Sequence, residues 1–564
     1  MSATVKQARR YNAWTNNSTL EDYSLRYAPK SFRRWSPYVV ATTALGGIAY
    51  LADFAIGASI AVTHGVPNAI AAILVTAAIV FITGMPIAYY SARYAIDMDL
   101  LTRGAGFGYL GSTITSLIYA SFTFIFFALE GAIMAQALES GLGVPLPLGY
   151  LICSLIVLPL VVFGMTALSK LQVWTQPIWL VLMVLPFLAI AVKEPGKYAE
   201  WLDFAGNNPG GATFSLIGFG LGAGVALSLI AQIGEQVDYL RFMPEKTEKN
   251  KVAWWSAVVS AGPGWVVLGG LKQLGGAFLA FFVAGQVGLT KAVEPIEQYI
   301  GGFAVIIPGG VVALAVFFVI LSQIKINVTN AYSGSLSWAN FFSRTLHRHA
   351  GRVVWIFFNV GIALALMELG VFGLLNAVLG FYSNVAIAWI GAVVADLVVN
   401  KPLKLSPSYI EFKRAHLYNF NPVGFGSMLI ASAISVLAFF NVFGDLAQAF
   451  SPFIALVVAF VLSPLIAWLT KGKYYIARVD DLPEPLVVNG GLNPAELVCT
   501  GCQMSYERPD MASCPFHEGA ICSLCCSLDA ACRDSCKQQS PALLTISHRR
   551  EPVPEPKEET RAGM

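Results

Sequence analysis

Eight of the nine cysteines of this 564-residue chain fall between Cys499 and Cys536. They run Cys-x2-Cys, x11, Cys, x7, Cys-x2-Cys-Cys, x5, Cys-x3-Cys. Two Cys-x2-Cys pairs with further thiols supply enough soft ligands for one or two tetrahedral zinc sites. The candidate ligands are Cys499, Cys502, Cys514, Cys522, Cys525, Cys526, Cys532 and Cys536, with His517 inside the run. An iron–sulfur cluster or a redox role is the alternative for the same thiols. The stretch holds too few apolar residues to fold without a staple, which favours structural metal, and zinc first. Adjacent Cys525 and Cys526 leave the division of ligands open.

A second set of reactive side chains lies in apolar surroundings: Asp53, Glu130, Lys272, Lys325 and Glu368 interrupt long hydrophobic runs. A charge at mid-membrane costs at least about 2.5–3.5 kcal/mol on insertion scales, so it normally faces protein or water and finds a partner. Asp53 and Lys325 fall at similar depth in their runs and are expected to pair, either as a structural ion pair or as a coupling element. Lys272 and Glu368 read as snorkelling or packing residues.

The elements that position these groups follow from composition. Hydrophobic residues make up 56% of the chain and charged residues 12%, about half the charge of a soluble domain. A net charge of +3 is too small to suggest nucleic acid as a partner. A hydrocarbon core of roughly 30 Å needs about 20 apolar residues per helix. On that rule the sequence predicts an all-α integral membrane protein with twelve spans, at 38–63, 67–91, 108–138, 146–168, 171–192, 213–236, 252–284, 303–338, 353–374, 376–398, 423–443 and 448–470. Basic residues concentrate in the N-terminal stretch and in the connections after spans 2, 4, 6, 8 and 10. Cytoplasmic loops keep such charge, so both termini and the cysteine run are expected in the cytoplasm, below a multi-pass protein of the inner membrane. The first 37 residues are polar and lack the apolar core of a secretion signal. The domain layout expected is a cytoplasmic tail 1–37, a transmembrane domain 38–470, a linker 471–498, the cysteine module 499–536 and a disordered tail 537–564.

Glycine marks where spans should loosen. "GFGLGAG" in span 6 carries Gly218, Gly220, Gly222 and Gly224, and Gly46, Gly47 and Gly57 surround Asp53 in span 1. Interrupted helices at matching positions of two repeats point to a transporter's central site. Spans 1 and 6 would open two five-helix halves.

Several stretches then resemble the purine–cytosine permease, or nucleobase–cation symporter, family: "TNAYSGSLSWANFFSR" from Thr329, "DYLRF" from Asp238, "GAVVADLVV" with Asp396, and "LLTRGAGFGYLGS" before span 3. The resemblance implies the leucine-transporter fold, a 5+5 inverted repeat plus two helices, and a planar heterocycle held between spans 1, 3, 6 and 8. Carried over position by position, it implies Phe126 and Glu130 on span 3, Phe219 and Gly220 on span 6, and Asn327, Thr329 and Asn330 on span 8 as substrate-binding residues. Glu130 stands where the family commonly has an amide. Lys325 stands near a hydroxyl-bearing cation ligand, so its ammonium would replace sodium with Asp53 as counterion. Coupling is then expected to be proton-driven or at least sodium-independent.

"CSLCCSLDAACRDSCK" is similar to the cysteine-rich junction of certain permease-like membrane histidine kinases. Two functions follow. One is secondary transport of a nucleobase-like or related nitrogenous heterocycle by a lipid-embedded symporter. The other is a transporter-like sensor that binds a small solute and signals through the cysteine module to a separate histidine kinase. No phosphate-binding loop or nucleophile–base motif stands out, so enzymatic chemistry is not expected.

Overall fold

Long apolar runs in lipid satisfy their backbone groups only as helices, and each of the twelve expected runs is helical. The structure is a computed structural model that describes residues 25–162, 165–307, 309–479, 482–488 and 491–537. Most of the expected N-terminal tail and all but the first residue of the expected disordered tail 537–564 lie outside the described residues. Among the described residues, nine helices are long and apolar enough to cross a membrane, and Pro37–Ala49 with Ala52–His64 forms a tenth span bent by 47°. Spans 4 and 9 are the shorter helices Leu146–Val162 and Arg352–Glu368.

Several boundaries differ from expectation. Span 8 is Val311–Leu346 rather than 303–338; Gly310, with φ +77°, separates it from the short helix Pro295–Ala304. Its polar second half stays helical because Ser333, Ser335, Ser337 and Asn340 are buried against neighbouring helices rather than left to solvent. Span 9 ends at Glu368 before Gly370, which has φ +75°.

Spans 3 (Ser112–Leu142) and 8 lie along each other as the central pair, and the second half of span 1 packs on the second half of span 7, Trp265–Val287. The windows of spans 3 and 6 are 78% buried, against 17% for span 5 and 22% for span 12. That contrast separates the inner helices from the lipid-facing ones. Spans 11 and 12 (Ser427–Phe439 and Ser451–Thr470) pack on each other and on span 10 (Leu375–Ala395).

The glycine run of span 6 does not break the helix. Leu216–Ala226 remains α-helical, and the tight turn follows at Leu227–Ala231 before Gln232–Leu240 resumes. The glycines serve close packing instead: a Cβ at Gly220 would lie 2.8 Å from the Ala449 carbonyl oxygen, and one at Gly222 2.7 Å from Ile60. Span 1 does break, at Tyr50 and Leu51, where Tyr50 is extended with ψ 150°.

The module beyond span 12 is built of short hairpins, Glu496–Val498 with Ser505–Glu507 and Met511–Cys514 with Gly519–Cys522, followed by the helix Ser523–Leu528. It lies against both the N-terminal segment and the loops of the bundle. Arg26 pairs with Asp510 at 2.6 Å, the Lys30 N–H donates to Glu507, and Leu25 joins the module's apolar cluster. From the bundle, Arg414 donates to the carbonyls of Cys526 and Asp529, Arg478 donates to that of Ser513, and His347 contacts that of Ser527. The loop carrying Arg414 is itself braced: burial opposes ionisation of Glu411, but Lys413 and His416 outweigh it and hold its carboxyl down to about 2.

The approach of spans 1 and 7 has no room for a methyl group. A Cβ at Gly276 would lie 2.1 Å from the Phe54 carbonyl oxygen, and one at Gly57 1.8 Å from that of Gln273. Gly276→Ala is expected to destabilise the protein by about 1–3 kcal/mol or more, seen as a lowered melting temperature in detergent. Gly361→Ala, with nothing within 4 Å of its Cβ, should melt at or above wild type.

Candidate functional site

A helix broken inside a bundle leaves carbonyls at the end of its first half and N–H groups at the start of its second without partners. In span 1 both sets are answered by charge. The Lys272 ammonium donates to the carbonyls of Ile48 at 2.6 Å and Tyr50 at 3.0 Å. It also pairs with Asp53 at 2.9 Å and sits 3.6 Å from the centre of the Tyr50 ring. The other Asp53 oxygen accepts from Gln273 at 2.8 Å. On the far side of the break, the Ala52 N–H donates to Glu130 at 3.2 Å. Carboxylate thus meets a helix N-terminus and ammonium a helix C-terminal end, the favourable sense for both half-helix dipoles.

This arrangement corrects the expected Asp53–Lys325 pair. Lys325 turns to span 5, donating to the Gln172 carbonyl at 3.1 Å and to Thr175 at 2.9 Å, while the Gln172 amide returns a bond to the Lys325 carbonyl at 2.7 Å. Asp53's counterion is Lys272, which is 2% exposed and does not snorkel. Glu368 is exposed at the end of its helix. The visible signal for Lys272 was "LKQLGG": a buried cation and amide beside the glycine pair that lets span 7 reach span 1.

Span 8 brings a polar row to the same level. The Asn330 amide donates to Asn327 at 3.1 Å, and Asn327 donates to the Phe127 carbonyl at 3.4 Å. Thr329 shares a 2.7 Å hydrogen bond with Tyr239 of span 6, and its hydroxyl would be 3.1 Å from a Cβ on Gly47. Gly131, one residue after Glu130, lies beside the Asn327 amide. Asp53, Glu130, Asn327, Thr329 and Asn330 are all fully buried. The Asn330 side-chain amide oxygen is buried with no hydrogen-bond partner among the described residues.

The remaining expected binding residues are placed otherwise. Phe126 packs against Phe122 with ring centres 4.5 Å apart and planes tilted by 35°, and the Phe122 ring in turn approaches Tyr382 of span 10. Phe219 packs with Phe450 and Phe453, and Gly220 faces Ala449. These two therefore look toward span 12 and are not brought to the polar row.

Toward the module, the motif residues close the bundle. Arg241 pairs with Asp97 at 3.2 Å and donates to Tyr332 at 3.0 Å. Asp238 accepts from Tyr119 at 2.9 Å, and Arg344 donates to the Tyr109 carbonyl at 2.8 Å and to Ser112 at 2.6 Å. Ser337 donates to Asp99 at 3.0 Å. Spans 3, 6 and 8 and the connection before span 3 are thereby fastened together below the polar row.

In the module, the sulfurs of Cys499, Cys502, Cys522 and Cys525 lie within 4.8 Å of one another, and all four residues are buried. Zinc–sulfur bonds of about 2.3 Å in a tetrahedron put sulfurs about 3.8 Å apart. The N–H groups of Cys522 and Cys525 donate to the sulfurs of Cys499 and Cys522, as expected where thiolate charge is to be stabilised. These four cysteines fit a metal ion. None of the nine cysteines is in a disulfide.

No family model matches the chain, and no curated protein does. Among solved structures it is similar to Mhp1, a nucleobase-cation-symport-1 family transporter, in a closed conformation with bromovinylhydantoin bound. That likeness has a TM-score of 0.58 at 17% identity, covering 81% of this chain and 99% of that one. Inward-facing Mhp1 gives a TM-score of 0.56 at 17% identity, covering 84% and 100% of the two chains. A sodium-coupled sialic acid symporter in a substrate-bound, outward-open state gives 0.52 at 13% identity, covering 79% and 94%. The chain has the leucine-transporter fold, two inverted five-helix repeats with two further spans.

Removing one member of a buried pair leaves an uncompensated charge and costs about 3–5 kcal/mol. Asp53→Asn and Lys272→Met should each lower the melting temperature in detergent, and the double variant should recover part of the loss. Lys325→Met should give no such rescue of Asp53→Asn, since those two side chains do not pair.

Proposed function

We propose that this protein is a secondary active transporter of a nucleobase-like or related nitrogenous heterocycle. The observation that carries the substrate class is the buried Asn327–Asn330 pair next to Thr329, which approaches Gly47 just before the break of span 1, with the Asn330 side-chain amide oxygen left without a partner among the described residues. An amide there offers one donor and one acceptor to a ring edge, and Glu130 adds acceptors across the break. The likeness to a nucleobase-cation-symport-1 transporter supports the same class.

The coupling reading rests on Lys272. Unwound backbone carbonyls are where transporters of this architecture hold their coupling ion. Here a tethered ammonium already occupies the carbonyls of Ile48 and Tyr50. The protein is therefore sodium-independent in this proposal, and a proton exchanged within the Asp53–Lys272–Glu130 group drives uptake. The basic loops and the cysteine module face the cytoplasm of an inner-membrane protein, and the four-cysteine cluster holds structural zinc.

Radiolabelled uptake of a heterocycle panel in proteoliposomes, with binding measured on the same preparation, tests this. Expected is uptake unchanged when choline replaces sodium, accelerated by an inward proton gradient and abolished by a protonophore. Lys272→Gln should cut uptake at least tenfold. Sodium-stimulated uptake by the wild type would overturn the coupling assignment, and binding without flux would point to the sensor.

A further inference from the structure

The four cysteines outside the first cluster are not scattered. Cys514, Cys526, Cys532 and Cys536 all line one cavity of about 10 Å³, together with Ser513, His517, Asp529 and Asp534. That is about the space of a single water-sized sphere, with four cysteines around it. Their spacing is wider than in the first cluster, whose sulfurs alone among the described residues come within 4.8 Å of one another.

We propose that these four thiols form a second metal site for a soft divalent ion of the zinc class, cross-braced with the first. The inference rests on the reading of the module as metal-loaded and extends it. The two ligand sets interleave along the chain: Cys499 and Cys502 belong to the first, Cys514 to the second, Cys522 and Cys525 to the first, and Cys526, Cys532 and Cys536 to the second. Adjacent Cys525 and Cys526 serve different sites because both lie on the short helix Ser523–Leu528, where successive side chains point about 100° apart. Cys525 turns into the first cluster and Cys526 into the cavity.

The segment that supplies the last two ligands is held by polar contacts of Asp534 and Lys537 rather than by an apolar core. From Ala530 to Lys537 no residue is buried, and Arg533 and Asp534 adopt left-handed backbone, with φ +45° and +57°. Each such residue costs roughly 1–2 kcal/mol. A reversal of this kind without an apolar core needs a staple, and it places Cys532 and Cys536 at the cavity.

His517 also lines the cavity, with its Nε2 held by Asp529 at 2.7 Å, and the thiol set is assigned on the number of sulfurs present. A divalent ion that displaces four thiol protons leaves a site of net −2, which nearby cations offset in part. Arg414 and Lys537, both within 3.2 Å of Asp534, lie beside it. Arg414 belongs to the loop between spans 10 and 11 and binds the Cys526 and Asp529 carbonyls. The second ion would therefore fix the seam between module and membrane body.

The test is metal stoichiometry on the full-length protein in detergent, saturated with Zn²⁺ and desalted, combined with iodoacetamide footprinting read by mass spectrometry. Two zinc ions per chain are expected, with all eight thiols protected. Cys532→Ser/Cys536→Ser should fall to one ion, exposing Cys514 and Cys526 to alkylation while Cys499, Cys502, Cys522 and Cys525 stay protected. One ion per chain in the wild type, with the second set alkylated under native conditions, would overturn the second site and leave the first standing. A disulfide within the second set would also overturn it. No bound zinc at all would overturn both. The wild-type footprint decides the matter even where the variant fails to fold.

Discussion

The Lys272 ammonium at the break of span 1 is the contact on which the rest of the bundle depends. A helix can stop in mid-membrane only if something satisfies the peptide groups it releases. Lys272 takes the carbonyls of Ile48 and Tyr50, Asp53 neutralises the ammonium, and Glu130 receives the Ala52 N–H. Remove the cation and the first half-helix ends in bare carbonyls beside an uncompensated carboxylate. Both charges are expensive to bury singly, so the break, the pair and the close approach of spans 1 and 7 stand or fall together. Gly57 and Gly276 are the steric condition for that approach.

From this centre the fold is fastened unevenly. On the module side, Arg241 and Arg344 with Asp97, Asp238 and Asp99 join spans 3, 6 and 8 through buried, hydrogen-bonded contacts. The cysteine module adds a second layer by gripping the N-terminal segment through Asp510 and Glu507, and the later loops through Cys526, Asp529 and Ser513. It thus touches chain that leads into span 1 of the first repeat and chain that leaves span 8 of the second. Motion of either repeat against the other at this end would have to strain or release that grip.

Much of this was legible in the residues. The twelve runs hold helices, and three of the stretches expected to be basic, the connections after spans 8 and 10 and the segment before span 1, meet the module. Glu130 of span 3 and the polar residues of span 8 that the resemblance singled out are buried inside the bundle. The partner of Asp53 did not. Lys325 and Lys272 are both lone cations in apolar runs, and only the glycine pair after Lys272 marks the one whose helix can reach span 1. Likewise "GFGLGAG" looked like the break of span 6, yet its glycines buy closeness to Ala449 and Ile60, and the tight turn comes one turn later.

The sequence by itself determined what depends on local composition: where the chain must be helical in lipid, which loops carry positive charge, and where thiols concentrate. Tertiary structure alone decided which lysine faces Asp53, where Phe126 and Phe219 point, and which four cysteines come together. The reason is that hydropathy and ligand spacing are properties of neighbouring residues. An ion pair or a ligand set is instead fixed by which distant backbones come within contact, and here small gaps at Gly57, Gly276 and the turn between Cys525 and Cys526 make that choice.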